Sequence, residues 1–279
     1  MSAELAAPTP ASRPAAPPLL PMLAFAVLVV LAVFGPWITP FDALKINAGP
    51  FNAPPSWTHL FGTDHLGRDL FSRVIAGART SVFIGAAATL VALALGGLVG
   101  ILAVVTPRLV GEAIMRLVDV VMSLPGILLA IVFATAFGGG AVTTVVAISI
   151  IFAPAVARMV RGALMTELEE EYVVAARLFG TSTVRLLRHH IAINIAIPIL
   201  VFATVICADA IVLEGALSFI GVGVPPPTPS WGNILADGRR LVLSGSWWIT
   251  TFSGLAIFLS VLVLNRMADW LNKRFDTGQ

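Results

Sequence analysis

Apolar residues run along this chain in six long blocks, set apart by shorter polar or proline-rich stretches. Residues 19–39, 81–105, 114–137, 141–160, 191–222 and 247–267 each approach or exceed the ~20 residues that carry a helix across a bilayer core. The pattern therefore predicts an all-α, polytopic membrane protein with six transmembrane helices. Pro36 and Pro40 mark the exit of the first block, and Pro107, Gly111 and Gly138–Gly140 mark short turns. Pro125, Pro154 and Pro198 fall inside blocks and predict kinks. Gly85, Gly96, Gly97 and Gly100 make the second block narrow enough for a neighbouring helix to approach closely.

Three stretches break the apolar pattern in an informative way. Residues 1–18, rich in Ala, Pro and Ser, read as a disordered tail. In residues 61–81, Leu66, Leu70, Phe71, Val74 and Ile75 share one helical face, while Arg68, Asp69, Ser72 and Arg73 take the other. That spacing predicts an amphipathic helix, capped at Thr63 or Asp64, lying along the membrane surface or packed on the bundle. It sits in a loop spanning 40–80, and a second loop is expected at 223–246.

The third stretch, 167–198, is polar and helical in pattern. Glu167, Glu169, Glu170 and Glu171 crowd its start, and Arg177, Arg185 and Arg188 follow, the order that suits a helix dipole. Gly180 divides it, and Thr181 or Ser182 can cap what comes next. Ala175 and Ala176 give it a smooth surface, so it reads as a docking element.

Composition sharpens the membrane reading. Of 279 residues, 58% are hydrophobic and 11% charged, against roughly 25% charged in an ordinary soluble domain. A net charge of +2 excludes a nucleic-acid binder. The single cysteine, Cys207, excludes an internal disulfide. Trp37, Trp247, Trp248 and Trp270 stand near block ends, where interfacial aromatic belts lie. With both termini in the cytoplasm, eleven Lys and Arg residues fall inside and six outside. The bias favours that orientation and puts 167–198 in the cytoplasm.

Candidate chemistry is sparse. The lysines, Lys45 and Lys273, do not follow a glycine-rich loop, so there is no P-loop and no ATP hydrolysis by that route. His59, His65, His189 and His190 lack zinc spacing. Ser218 has no histidine placed to activate it within a nucleophile turn. No catalytic or metal-ligating set emerges. The ionisable residues inside spans are costly and need reasons. Arg116 and Asp119, three residues apart, are expected to form a structural ion pair. Asp209 and Glu214 are separated by roughly 140° around a helix and should not share a face. Asp209, Glu214 and Ser218 are candidates for a substrate path, with structural hydrogen bonding the alternative for Glu214. A proton-driven secondary transporter using Asp209 or Glu214, or a receptor-like membrane subunit, would also fit these residues.

The motifs narrow the choice. EYVVAARLFG followed by HIAIN closely resembles the EAA signature of ABC importer permeases. Residues 62–81, 213–239 and 254–265 resemble the dipeptide/oligopeptide branch of that family, specifically its C-type subunit. The resemblance implies a type I ABC importer permease fold with a cytoplasmic coupling helix. It places an ABC type-1 transmembrane domain at 81–270, with the coupling region at 167–190 and a cytoplasmic tail at 271–279. It implies ATPase contact through Glu171, Tyr172, Ala175, Ala176, Arg177, Gly180 and Thr181. It further implies a second permease subunit as heterodimer partner, two cytoplasmic ATPase subunits or domains that carry ATP and Mg, and an extracytoplasmic substrate-binding protein. No cofactor is expected on this chain. Peptides are the expected cargo, with nickel, haem or another small solute as alternatives, and the expected location is a bacterial-type inner membrane. Two departures stand out: Ile193 occupies the place of the signature's proline, and Asp209 stands where a small or apolar residue is expected, there to tune substrate choice or to pair with the partner permease.

Overall fold

A computed structural model gives the structure over residues 19–178 and 191–275. The expected tail at 1–18, Gly180, Thr181, Arg185, Arg188 and the last four residues lie outside that range, as does the Arg177 side chain. Among the described residues the regular structure is helical, apart from one isolated bridge between Thr63 and Asp69. The helices are α1 (Leu19–Ile38), α2 (Leu70–Val105), α3 (Arg108–Met122), α4 (Gly126–Phe137), α5 (Ala141–Leu168), α6 (Glu171–Leu178), α7 (Ala192–Ile220), α8 (Trp231–Arg239) and α9 (Trp247–Phe275). Five of them, α1, α2, α5, α7 and α9, are long and apolar enough to cross a membrane. The expected span at 114–137 is instead a pair, α3 and α4, bent by 83°. Pro125 supplies the break: it forces the preceding residue out of helical geometry and has no N–H to continue the ladder. By contrast α5 and α7 run on through Pro154 and Pro198.

The surface helix expected within 61–81 does not exist as a separate element. Asp69, not Thr63 or Asp64, is the cap, accepting from the Ser72 backbone N–H. The helix it starts continues without interruption to Val105, because nothing between 70 and 105 breaks it. At 36 residues α2 is about 54 Å long, well beyond a ~30 Å hydrocarbon core. Its first turns therefore project beyond the bilayer. The predicted polar face is also not a water face: Arg68, Asp69, Ser72 and Arg73 are all buried. The loop expected at 223–246 contains α8, fixed by a capping box between Ser230 and Asn233.

Among the described residues, apolar clusters run the length of α2. Leu70, Val74 and Ala78 of α2 pack with Trp231, Ile234, Trp248 and Ile249 at one end. Ile84 and Ala88 meet Ala147 and Ile148 of α5, and Ala210 and Leu217 of α7, in the middle. Ala92 joins Val156, Val160 and Leu164 of α5 at the other end. Gly96 and Gly100 of α2 act as expected against α5, where a Cβ on Gly100 would sit 2.7 Å from the Ala157 carbonyl oxygen, and Gly85 does so against Ile211 of α7, but Gly97 faces open space. Trp248 departs from the expected interfacial belt. It is buried and donates its indole N–H to the Thr63 carbonyl at 3.2 Å, whereas Trp37 and Trp247 remain exposed.

Candidate functional site

The polar stretch after α5 becomes a helix where the sequence predicts one, with α6 starting at Glu171. Its residues divide by face. Glu171, Tyr172 and Ala175 point outward, Ala176 is half-buried, and Val173 is fully buried. Val173 enters the cluster formed by Leu164, Ile191 and Ile195. Burying a valine side chain contributes about 2 kcal/mol, enough to seat a short helix that isolated would not form.

Polar contacts complete the seating. The Tyr172 hydroxyl donates to Glu167 Oε1. Asn194 Nδ2 donates to the same oxygen at 2.5 Å and to the Tyr172 hydroxyl oxygen at 3.1 Å. Three elements, the end of α5, α6 and the start of α7, are thereby joined through one carboxylate. Burial, followed by the bond to Glu167, pushes the Tyr172 phenol up to about 12. The phenol stays protonated, so the donor is permanent. The sequence marks Glu167 only as one acid among several, and neither Val173 nor Asn194 stands out. The available signal is the valine pair in an otherwise polar run and the Asn that closes HIAIN.

Ile193, the departure from the signature, is 68% exposed and second in α7. Ile191, just before α7, is also in right-handed helical geometry.

The span carboxylates separate as their spacing predicts. Asp209 is exposed and Glu214 fully buried. Glu214 and Ser218 thus lie inside the chain's own packing. Ser218 Oγ donates to Glu214 Oε1 at 2.8 Å while accepting the Val224 N–H at 3.1 Å. Ser81 and Ser230 stand beside the same carboxyl group. Each accepts a backbone N–H, from Trp231 and Asn233 respectively. Glu214 thus sits where α2, α7 and α8 meet, with Oε1 bonded to Ser218 and Oε2 buried without a hydrogen-bond partner among the described residues. The expected Arg116–Asp119 pair is replaced by one across helices: Arg158 Nη2 of α5 reaches Asp119 Oδ1 at 2.6 Å. A contact between helices satisfies the carboxylate and closes the α3–α5 interface at once.

The opposite end of the bundle lies about 43 Å away along the 29 residues of α7. It carries a polar network that the amphipathic reading of 61–81 missed. Asp64 Oδ2 receives Arg68 Nε at 2.6 Å and Arg73 Nε at 3.5 Å. Asp237 of α8 receives Arg68 Nη2 at 3.5 Å and Arg73 Nη2 at 3.8 Å. Beside it, His59 Nδ1 donates to Asp69 Oδ1 at 2.8 Å, and Asp69 Oδ2 takes the Ser72 N–H and hydroxyl. Asp64, His65 and Asp237 bring potential ligand atoms within 4.8 Å of one another. Both carboxylates are already engaged by guanidinium groups, which makes this a charge-balanced brace of two acids and two bases.

Comparison with known proteins bears on both ends. Residues 92–277 match the family described as binding-protein-dependent transport system inner membrane component. The chain is 42% identical over 261 residues to the di/tripeptide transport system permease protein DppC of Pseudomonas aeruginosa (strain UCBPP-PA14), covering 91% of this chain and 86% of that protein. Two crystal forms of the MetNI methionine ABC transporter in inward-facing conformations share its fold. One aligns with a TM-score of 0.57 at 19% identity, over 71% of this chain and 96% of that one. The other aligns at 0.51 and 21%, over 68% and 94%.

Proposed function

The chain belongs to the binding-protein-dependent transport permeases, a multi-pass ABC importer subunit, and on that footing we propose that it forms half of a path for di- and oligopeptides. The 42% identity to a di/tripeptide permease over 91% of the chain supports the cargo. A second permease forms the other half. An extracytoplasmic binding protein delivers the peptide at the end carrying α8. Two cytoplasmic ATPase subunits dock at α6 and hydrolyse ATP, since this chain has no P-loop of its own. Both termini then lie in the cytoplasm, as the Lys and Arg distribution favours.

One observation carries the coupling role. α6 is clamped on its inner side by Val173 and the Glu167–Tyr172–Asn194 contacts, yet presents Glu171 and Ala175 outward. A helix held this way moves with α5 and α7 when a partner pushes on its outer face. Nucleotide-driven closure of the ATPases would bias the bundle between two arrangements through that contact. Arg177, Gly180 and Thr181 extend the proposed contact.

The test uses the complete transporter with Cys207 replaced by Ala. A cysteine introduced by Ala175→Cys should crosslink to an ATPase subunit and react with polar thiol reagents only from the cytoplasmic side. Gly180→Trp should leave the complex assembled and hydrolysing ATP while peptide uptake stops. Unchanged uptake with Gly180→Trp would reject the docking role. Uptake that ignores ATP and collapses with a protonophore would favour the proton-driven alternative.

A further inference from the structure

We infer that Asp209 faces the water-filled path and holds the ammonium group of the passing peptide, an inference that rests on the peptide-permease function proposed above. α7 packs against α2, α5, α8 and α9 and leaves one face open along its second half. Ala208 and Ala210, the immediate neighbours of Asp209, are both fully buried. Ala208 lies in the cluster with Leu28 of α1 and Leu264 of α9, and Ala210 in the cluster with Ala130 of α4 and Ile148 of α5. Asp209 thus looks out between those two clusters, and it is exposed there. Residues three and four apart share a helix face. Val205, Val212 and Ala216 therefore continue the same open face, and none of them is buried.

The carboxylate has no resolved partner. Neither a charge nor a hydrogen-bonding group acts on it among the described residues. It sits about 27 Å along a helix about 43 Å long, so it lies within the hydrocarbon depth and not at a headgroup. A lone carboxylate at that depth does not face lipid; it faces a cavity or another charge. Glu214, one and a half turns on, shows the contrast: there three hydroxyls surround a buried acid. Nothing comparable is built around Asp209, which leaves it free for a mobile cation. A zwitterionic peptide supplies one in its terminal ammonium. The same face gives that ammonium no other polar group, since Val205, Val212 and Ala216 are apolar and suit the side chains of the peptide instead. The carboxylate would offset the desolvation of the ammonium midway through the bilayer.

The experiment uses the assembled transporter in proteoliposomes with its binding protein, in two arms. In the first, Cys207→Ala, Asp209→Cys is treated with a membrane-impermeant cationic methanethiosulfonate. Labelling in at least one nucleotide state is expected, slowed several-fold by Ala-Ala with binding protein present. In the second, Asp209→Asn should lower maximal Ala-Ala uptake about tenfold, the scale of one lost charge-assisted contact. Binding-protein affinity and the yield of complex should be unchanged, and Asp209→Glu should restore most of the rate. An unlabelled cysteine in every nucleotide state would overturn the inference, as would wild-type uptake with asparagine. So would a loss of assembled complex with asparagine, which would show instead an ion pair with the partner permease. A wild-type complex that ignores Ala-Ala would refute the peptide cargo, while the labelling arm, which needs no substrate, would still decide whether position 209 faces water.

Discussion

The two ends of this bundle solve opposite problems with similar residues. At the α8 end, charged side chains turn inward: Asp64, Arg68, Arg73 and Asp237 satisfy one another and are mostly shielded from water. At the α6 end, Glu171 and Ala175 turn outward, and one buried valine with three polar contacts holds the helix. The first end pairs its charges within the chain. The second leaves an exposed face, the one proposed above to take an ATPase subunit. A brace of mutually paired charges resists deformation, because separating any pair strands a buried ion. A short helix on a single apolar anchor yields as a unit. Rigidity at one end and a movable handle at the other is what a subunit needs if force enters at α6 and must reach the opposite face without being absorbed there.

The sharpest way to break this comparison is Asp64→Ala. It leaves Arg68 and Arg73 sharing only the more exposed Asp237, and removing one member of a buried ionic group costs about 3–5 kcal/mol. Thermal unfolding of the purified complex in detergent should fall by many degrees. Ala175→Asp at the other end, a change of similar chemical size on an exposed position, should leave the melting temperature unmoved. Equal shifts would mean that the two ends do not differ in internal completeness.

That asymmetry also explains what the sequence disclosed. The spans were legible because hydropathy over ~20 residues reports the solvent directly, and α1, α7 and α9 fall where the pattern puts them. Helical spacing at 66–75 was equally legible, but spacing separates faces without saying what each face meets. Arg68 and Arg73 read as solvated because charged residues usually are. Their partner Asp237 lies 169 positions beyond Arg68, beyond the reach of any local pattern. Asp119 shows the same limit: the neighbour in sequence, Arg116, lost to Arg158 on another helix. Pro125 was visible as a breaker, yet a proline tolerated at 154 and 198 and decisive at 125 looks the same in one dimension. The helix of the polar stretch, α6, was legible for the opposite reason. It is local, and its pattern needs no distant partner to be read.

Glu214→Ala tests the brace from its inner side. Removing the carboxylate deprives the Ser218 hydroxyl of its acceptor at the point where α2, α7 and α8 meet. A buried polar group left unsatisfied costs about 1–3 kcal/mol. The expected result is a loss of stability smaller than that of Asp64→Ala, with α8 loosened from α2. Faster hydrogen exchange at the Trp231 and Asn233 amides would report it. Exchange spread evenly over the bundle would argue against a local tie.

Tyr172→Phe probes the handle with less violence. The ring remains, while the hydroxyl bond to Glu167 and the acceptor for Asn194 disappear. Asn194 keeps Glu167, so the net loss is about 1 kcal/mol. Stability of the complex should barely change, but more ATP should be hydrolysed per peptide imported, because α6 now slips against α5 and α7. A proportionate fall in hydrolysis and uptake would instead place the tyrosine in the ATPase contact itself.

The smallest expected effect is Ile193→Pro, which restores the residue of the EAA signature. Position 193 is the second of α7 and largely exposed. No packing is lost, and the missing N–H is one that α7 itself never used. Proline there also limits the unfolded chain, which favours the folded state by less than about 1 kcal/mol. Uptake should stay within about twofold of the parent, with a melting temperature equal or slightly higher. A marked loss would show that Ile193 donates its N–H to the segment before α7. The junction between handle and span would then be a continuous helical connection, and motion of α6 would be transmitted through backbone hydrogen bonds as well as through Val173 and Asn194.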